Sequence, residues 1–203
     1  MPTIWDFWAT HYNSLWVQRV SLGPTRSEII QHLTERQRCK LLDVGCGTGQ
    51  LFGDIRDQLP NARIDYLGID ASPAMIEVAK RNNPEGTFMV SSIMDFLAVH
   101  NSYDVIVCAH AFPYFPDKAM TLFKLKTMLK PRGSLLLAQA STNNLLDWLV
   151  LSFVKLTTSR AQYLSINAMR TLAAPVFPQP SEAVRINRSR WIPSIYLFNW
   201  TLP

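Results

Sequence analysis

The stretch Lys40-Leu41-Leu42-Asp43-Val44-Gly45-Cys46-Gly47-Thr48-Gly49 decides the predicted fold. Its apolar first half is typical of a buried strand, and the three glycines allow the backbone to turn with dihedral angles that a side chain would hinder. A helix is predicted directly afterwards, over 50–59. Glycines at such a turn also let a ligand approach the backbone closely. The stretch therefore predicts a strand, a turn and a helix, with a ligand site at the turn.

Strands and helices alternate through the next hundred residues. Further strands are predicted at 62–69, 87–90, 103–109 and 134–139, and helices at 74–81 and 120–128. This alternation predicts a mostly parallel sheet of the α/β class, with helices on both faces. The segments 183–188 and 194–202 are rich in β-branched and aromatic residues, so they predict a closing antiparallel hairpin that turns near Ile192-Pro193. The expected sheet has seven strands.

Helices are predicted before and after this core. Over 4–20, apolar residues recur every three or four positions, which places them on one helical face: Trp5, Trp8, Tyr12, Leu15, Trp16 and Val20. Thr25 is expected to cap a second helix over about 26–36, and Asn143 an apolar helix over 145–156. A further helix is expected over 160–173, followed by a proline-rich linker. The predicted organisation is one domain, 1–203, with N-terminal helices in 1–37, a ligand-binding core in 38–140 and a substrate-side segment in 141–203.

Composition excludes several classes of protein. The 203 residues are 48% apolar and 17% charged, which is typical of a globular chain. The net charge of +5 comes mostly from basic residues after position 140, and these are too scattered for a nucleic-acid-binding patch. Cys39, Cys46 and Cys108 have neither disulfide nor zinc spacing, so no metal is expected. The N-terminal sequence does not resemble a signal peptide, so a cytoplasmic protein is expected.

An acidic residue follows the second predicted strand at the distance of one strand-helix unit. Asp70 at this strand end suits two hydrogen bonds to the hydroxyls of a ribose, so a nucleoside site is predicted. The spacing of the glycines indicates which kind of nucleoside-containing ligand the site binds. GxGxxG is typical of dinucleotide binding, whereas here Asp43, Gly45, Gly47 and Gly49 form the pattern DxGxGxG.

The pattern DxGxGxG resembles motif I of the class I S-adenosylmethionine-dependent methyltransferases. Residues 68–75 resemble their second motif, 103–107 their fourth strand, and 129–136 their turn and fifth strand. On these motifs the chain is identified as a member of the methyltransferase type 11/25 group, near the ubiquinone/menaquinone C-methyltransferase-like enzymes, over roughly 12–139. The resemblance implies a Rossmann-like fold with an N-terminal helical lid. It also implies S-adenosyl-L-methionine as cofactor and S-adenosyl-L-homocysteine as product.

The resemblance also implies where the cofactor binds. Asp43 and the glycine turn would surround its methionine part, Asp70 its ribose, and Ala71 and Met75 its adenine. Ser92 stands where the family carries an acid, and we expect Asp95 nearby to be a surface acid. The expected cofactor-binding set is Tyr12, Asp43, Gly45, Cys46, Gly47, Gly49, Asp70, Ala71, Met75, Ser92, Ile93 and Ala109.

The resemblance implies that the loop over 108–115 borders the transferred methyl group. His110 is the histidine in that loop, so it is the candidate catalytic residue. The alternative is that it contributes shape alone. The expected methyl acceptor is a small, apolar or amphipathic molecule, enclosed by the helices over 4–20 and 145–156. A quinone-type or phospholipid head-group methyltransferase at a membrane surface is one alternative, and peripheral membrane contact stays open. A non-catalytic cofactor-binding protein and an NAD(P)-dependent oxidoreductase are the others, although the Tyr-x-x-x-Lys pattern of the latter is missing.

Overall fold

The computed structural model describes residue 9 and residues 21–36, 38–97, 99–158, 161–177, 182–187 and 193–203. The predicted helix over 4–20 lies outside the described residues, apart from Ala9, and with it lie the expected lid and Tyr12. Ile192, at the predicted hairpin turn, is also outside them.

The described chain contains thirteen regular helices and strands, together with a short 3₁₀ turn at Phe112–Tyr114. The helices are α1 Gly23–Leu33, α2 Gln50–Gln58, α3 Pro73–Asn82, α4 Lys118–Met128, α5 Leu145–Thr158 and α6 Ile166–Ala173. The strands are β1 Arg38–Val44, β2 Arg63–Asp70, β3 Thr87–Val90, β4 Tyr103–Ala109, β5 Leu129–Ala140, β6 Glu182–Arg185 and β7 Ile195–Thr201.

All seven strands form one sheet in the order β3-β2-β1-β4-β5-β7-β6. The pairs from β3 to β5 are parallel, whereas β7 runs antiparallel to both β5 and β6. The predicted mostly parallel sheet with antiparallel C-terminal strands is therefore confirmed. The chain proceeds outward from β1 to β3 and then returns to the other side of β1 with β4. Ligands of open α/β sheets bind where the strand order reverses in this way.

Alternating side chains of the central strands build one core on each face of the sheet. Leu42 and Ile106 pack with residues of α4 and α6, whereas Leu41 and Val107 pack with residues of α1, α2 and α3. All four side chains are almost completely buried, and burying one such side chain contributes roughly 1.5–3 kcal/mol. The apolar runs in the sequence thus reflect strands that are covered on both faces.

The observed helix caps match the capping pattern of the sequence at Ser72 and differ from the predicted caps at Thr25 and Asn143. Ser72 caps α3 as its position before Pro73 suggests, because its hydroxyl accepts a hydrogen bond from the Met75 amide at 3.2 Å. The prediction that Thr25 caps α1 is wrong, since the helix begins at Gly23 and Thr25 lies within its first turn. Asn144, rather than Asn143, caps α5, where its side-chain oxygen accepts from the Asp147 amide at 2.9 Å.

Two further boundaries differ from the prediction. Helix α6 begins only at Ile166, where Ser165 caps it, so the predicted start at 160 is wrong. The predicted turn before the fifth strand is part of β5 instead. It forms an irregularity in the pairing with β4, in which Arg132 has φ of 61°.

Helix α5 is attached to the sheet at its first turn. The buried carboxylate of Asp147 accepts hydrogen bonds from the backbone amide of Ser194, at 2.8 Å, and from the Ser194 hydroxyl. The same helix exposes large apolar side chains on its other side: Leu145, Leu146, Trp148, Leu149 and Phe153. Among the helices of the described ranges, none has the length and apolar character needed to cross a bilayer.

Candidate active site

A cavity of about 420 Å³ lies at the carboxyl ends of β1, β2 and β4. This volume falls within the range of small-molecule sites. Nine of the residues expected at the site line the cavity: Gly45, Gly47, Asp70, Ala71, Met75, Ser92, Ile93, Ala109 and His110. Val44, Ile69, Ser91, Met94, Ala111, Tyr114, Phe115 and Pro116 complete the wall. The fold therefore brings most of the predicted residues together.

The glycine turn between β1 and α2 forms one wall of the cavity. Gly45, Gly47 and Gly49 have φ values of 76°, 53° and 75°, which side-chain-bearing residues rarely adopt. A Cβ atom on Gly45 would collide with the Cβ of Ala111. A Cβ on Gly49 would lie 2.9 Å from the side chains of both Asn83 and Phe88, away from the cavity wall. Gly45 and Gly47 thus face the cavity, whereas Gly49 is needed for packing.

Asp70 holds two backbone segments of the cavity in place. Its Oδ2 accepts a hydrogen bond from the Gly47 amide at 3.0 Å, and its Oδ1 accepts one from the Ser72 amide at 2.9 Å. A carboxylate oxygen can accept more than one hydrogen bond, so these bonds are compatible with contacts to a ligand hydroxyl. The acid at the end of β2 therefore connects the glycine turn to the start of α3.

Asp43 and Cys46 lie behind the glycine turn and are not among the residues that line the cavity. The Asp43 carboxylate is buried and accepts a hydrogen bond from the Tyr66 hydroxyl at 2.7 Å. Burial raises the pKa of Asp43 to about 7, although the bond from Tyr66 opposes this shift. Cys46 packs against Gly68, where a Cβ atom would lie 2.9 Å from its Sγ. Both side chains therefore contact residues of β2, outside the cavity wall.

The segment after β3 forms the opposite wall. Ser92 donates from its hydroxyl to Asp95 at 2.6 Å and accepts from the Asp95 amide at 3.2 Å, so it caps a short turn. Asp95 is exposed and absent from the cavity wall, whereas Ile93 and Met75 are buried and line it. This wall offers a ligand mainly apolar contact, together with the backbone and hydroxyl groups of Ser91 and Ser92.

His110 follows β4 and lines the cavity with a left-handed backbone, φ 62°. Its amide donates to the Ala138 carbonyl at 2.7 Å, which fixes the residue against β5. Its ring Nε2 lies 2.9 Å from the hydroxyl of Thr25 in α1. Burial, and to a smaller extent the positive charge of Arg26, lowers the pKa of His110 to about 4. The imidazole is therefore neutral near pH 7.

The turn after His110 supplies further cavity residues: Ala111, Tyr114 and Phe115, which lie in the loop expected beside the methyl group but were not named as site residues, and Pro116, which was missed. Its signal was the aromatic and proline-rich run Phe112-Pro113-Tyr114-Phe115-Pro116 directly after a predicted strand. The turn is held by the buried ammonium of Lys118, which donates to the carbonyls of Pro113 and Phe115 at 3.2 and 2.9 Å. Burial lowers the pKa of Lys118.

The sheet order, the glycine turn and the acid at the end of β2 are those of the class I methyltransferases. A family model described as a methyltransferase domain matches residues 35–182. The chain therefore belongs to this methyltransferase domain family, and the family predicted from its motifs is confirmed.

Curated relatives carry more specific names. The chain is 32% identical over 127 residues to a ubiquinone biosynthesis O-methyltransferase of Saccharophagus degradans, which covers 60% of this chain and 52% of the relative. It is 35% identical over 101 residues to a malonyl-[acyl-carrier protein] O-methyltransferase of Priestia megaterium, which covers 49% of this chain and 36% of the relative. The chain thus spans about half the length of the first of these relatives and about a third of the second.

Solved structures share the fold at low sequence identity. A methyltransferase from Haloferax volcanii, solved with the Trm112 methyltransferase activator, gives a TM-score of 0.83 at 18% identity and covers 100% of this chain and 99% of that one. The 1,6-didemethyltoxoflavin-N1-methyltransferase of Burkholderia thailandensis was solved with 1,6-didemethyltoxoflavin and S-adenosylhomocysteine. It gives a TM-score of 0.71 at 14% identity and covers 97% of this chain and 84% of that one. At these identities the likeness establishes the fold.

Proposed function

We propose that this protein binds S-adenosyl-L-methionine in the cavity and transfers the methyl group to a small molecule, releasing S-adenosyl-L-homocysteine. The observation that carries this proposal is the position of Asp70, whose carboxylate connects the glycine turn to α3 at the cavity wall. The bound cofactor supplies an electrophilic methyl group on a sulfonium. The protein then has to bind, orient and shield the two reactants, which contributes most of the rate in such a transfer.

Each part of the cofactor has a fitting partner in the cavity. Asp70 would accept hydrogen bonds from the ribose hydroxyls, and Gly45 and Gly47 would lie against the methionine part. Met75 and Ile93 would contact the adenine together with Ala71, while Ser92 and the Ile93 amide would bond its edge. Asp43, Cys46 and Gly49 would act indirectly by shaping the turn. Tyr12 lies outside the described residues and stays in the proposed cofactor-binding set on the family resemblance alone.

The proposed acceptor is a small apolar or amphipathic molecule. The cavity continues from Ala109 to Tyr114, Phe115 and Pro116, a wall that is largely apolar. The bound substrate named for the Burkholderia thailandensis structure is also a small molecule. Following the predicted organisation, we propose that 38–140 binds the cofactor and that 141–203 contributes to the acceptor side, beyond the described cavity wall, which ends at Pro116. A cytoplasmic location is compatible with Cys39, Cys46 and Cys108, all of which are buried and free.

Calorimetry with S-adenosylmethionine and S-adenosylhomocysteine, followed by a screen of methyl acceptors with labelled cofactor, tests the proposal. We expect saturable binding of both compounds and transfer of label to at least one small molecule. Binding without turnover of any acceptor would favour a non-catalytic cofactor-binding protein. Binding of NADH in place of S-adenosylmethionine would favour an oxidoreductase.

A further inference from the structure

The hydroxyl of Thr25 makes two hydrogen bonds inside the protein. Thr25 lies in the first turn of α1 and is completely buried. Its Oγ1 is 2.8 Å from the carbonyl oxygen of Ser21, four residues earlier, and 2.9 Å from Nε2 of His110. Thr25 therefore connects α1 to the residue that lines the cavity after β4.

Together, the two hydrogen bonds determine which group donates and which accepts in each of them. A carbonyl oxygen can only accept, so Thr25 has to donate its single hydroxyl proton to Ser21. The same hydroxyl can then only accept from His110, which requires a hydrogen on Nε2. A neutral imidazole carries one ring hydrogen, so Nδ1 is left as an acceptor. The bond to Thr25 thus selects one of the two tautomers of His110.

His110 is half-buried and lines the cavity. Within the part of the chain that the structure describes, no hydrogen bond to Nδ1 of His110 is present. Arg26, the cation that influences this ring, is paired with Asp54 at 2.5 Å and bonded to Gln50 at 3.1 Å. The neighbouring cavity wall consists of Ala109, Ala111 and the turn that follows. An acceptor nitrogen in a mostly apolar wall favours a ligand that donates a hydrogen bond there.

We propose that Thr25 is a positioning residue that presents Nδ1 of His110 to an O–H or N–H group of the methyl acceptor, so that methylation takes place on oxygen or nitrogen. This inference rests on the proposed function and names the class of nucleophile. As the nucleophile's lone pair forms the new bond to carbon, the electrons of the broken carbon–sulfur bond stay on sulfur. The proton of the O–H or N–H group passes to Nδ1 and from there to water.

The tautomer can be measured directly by long-range ¹H–¹⁵N NMR, with His110→Asn to assign the signals. We expect hydrogen on Nε2 of His110 in the parent and in Thr25→Ser, which keeps the hydroxyl. Thr25→Val should lose this preference. Thr121→Val is the matched control, because Thr121 is also fully buried and donates to the carbonyl four residues earlier, that of Asp117, at 2.6 Å. A parent with hydrogen on Nδ1, or a Thr25→Val protein with the parent tautomer, would overturn the inference.

Phenol and anisole test the class of acceptor, because they have similar shapes and only phenol can donate a hydrogen bond. In the presence of S-adenosylhomocysteine, phenol should shift the Nδ1 resonance saturably and anisole should not. In Thr25→Val the apparent affinity for phenol should fall about tenfold, the equivalent of one hydrogen bond. A shift with both compounds, or with neither, contradicts the inference. Failure of the parent to bind S-adenosylhomocysteine contradicts the proposed function instead, so the two failures are distinguishable.

Discussion

The two ends of the cavity are built in different ways. The proposed cofactor end uses contiguous backbone segments, the glycine turn after β1 and the residues after β2, connected by the single carboxylate of Asp70. The proposed acceptor end uses side chains from separate parts of the chain, since Thr25 and His110 are 85 residues apart. The first kind of site follows from local sequence, whereas the second exists only after the chain has folded.

This difference is expected to separate a part of the site that the fold can keep unchanged from a part that can vary between proteins. Backbone turns depend on few side chains and recognise a part of the ligand that does not vary. Side chains from distant segments can be exchanged independently, so the same fold can accept different substrates. Substitutions at one end should therefore leave the other end's function nearly intact.

The largest effect is expected for Asp70→Ala at the cofactor end. The variant loses the charged acceptor for the ribose and also the bonds to the amides of Gly47 and Ser72. Affinity for S-adenosylhomocysteine should fall roughly 100-fold, or about 3 kcal/mol, as measured by calorimetry. Asp95→Ala is the control, because Asp95 is an exposed acid that lies next to the cavity wall. Unchanged affinity in a folded Asp70→Ala protein would remove the ribose assignment.

A smaller effect is expected for Lys118→Met at the acceptor end. The ammonium of Lys118 bonds the carbonyls of Pro113 and Phe115, and the variant leaves both without this donor. We expect a loss of stability of about 1–3 kcal/mol in urea unfolding and a fall in kcat/KM of about tenfold for an acceptor found in the screen. Affinity for S-adenosylhomocysteine should stay at the parent value.

Lys126→Met, on the same helix, controls for the loss of a lysine charge. If Lys118→Met weakened cofactor binding as much as turnover, the two ends of the cavity could not be treated as separate. Equal turnover in Lys118→Met and the parent would show that the turn at Phe112–Tyr114 does not contribute to the acceptor site.

The sequence was sufficient for the parts of the structure that depend on local patterns. Apolar runs located every strand, and the glycine spacing with Asp70 located the cavity. Two predicted helix caps were wrong. Thr25 and Asn143 are both residue types that favour caps, but tertiary contacts decide their roles instead. Thr25 bonds to His110, and the amide of Asn143 donates to the buried Asp147 at 3.1 Å.

Sequence reasoning was less effective at the acceptor end. No sequence pattern connects Thr25 with His110, or Lys118 with the carbonyls that it bonds, because these contacts depend on how α1 and α4 pack against the sheet. The expected roles of Asp43 and Cys46 came from a motif that does not distinguish residues on the cavity wall from residues behind it. Burial separates the two groups, and burial is a property of the folded chain.

The smallest effect on ligand binding is expected for Asp43, which lies outside the cavity wall, so its substitution is tested through stability instead. Its pKa is raised to about 7 from the ordinary value of 3.8, so between these pH values the folded protein holds a proton that the unfolded chain has released. Stability should therefore decrease as pH rises through this window, by at most about 1.4 kcal/mol per pH unit. Asp43→Asn cannot ionise and should lack this contribution.

Urea unfolding of the parent and Asp43→Asn at a series of pH values measures the effect. His110 contributes the opposite slope as pH falls below its ordinary pKa of 6.5 toward its lowered value of about 4, but it is present in both proteins and cancels in their difference. The stability of Asp43→Asn relative to the parent should rise from about pH 4 to pH 7 and then level off. Asp65→Asn, which removes an exposed acid from the neighbouring strand β2, controls for the change in net charge. A difference that does not change with pH would mean that Asp43 is ionised throughout this range in the folded protein, which would contradict the raised pKa.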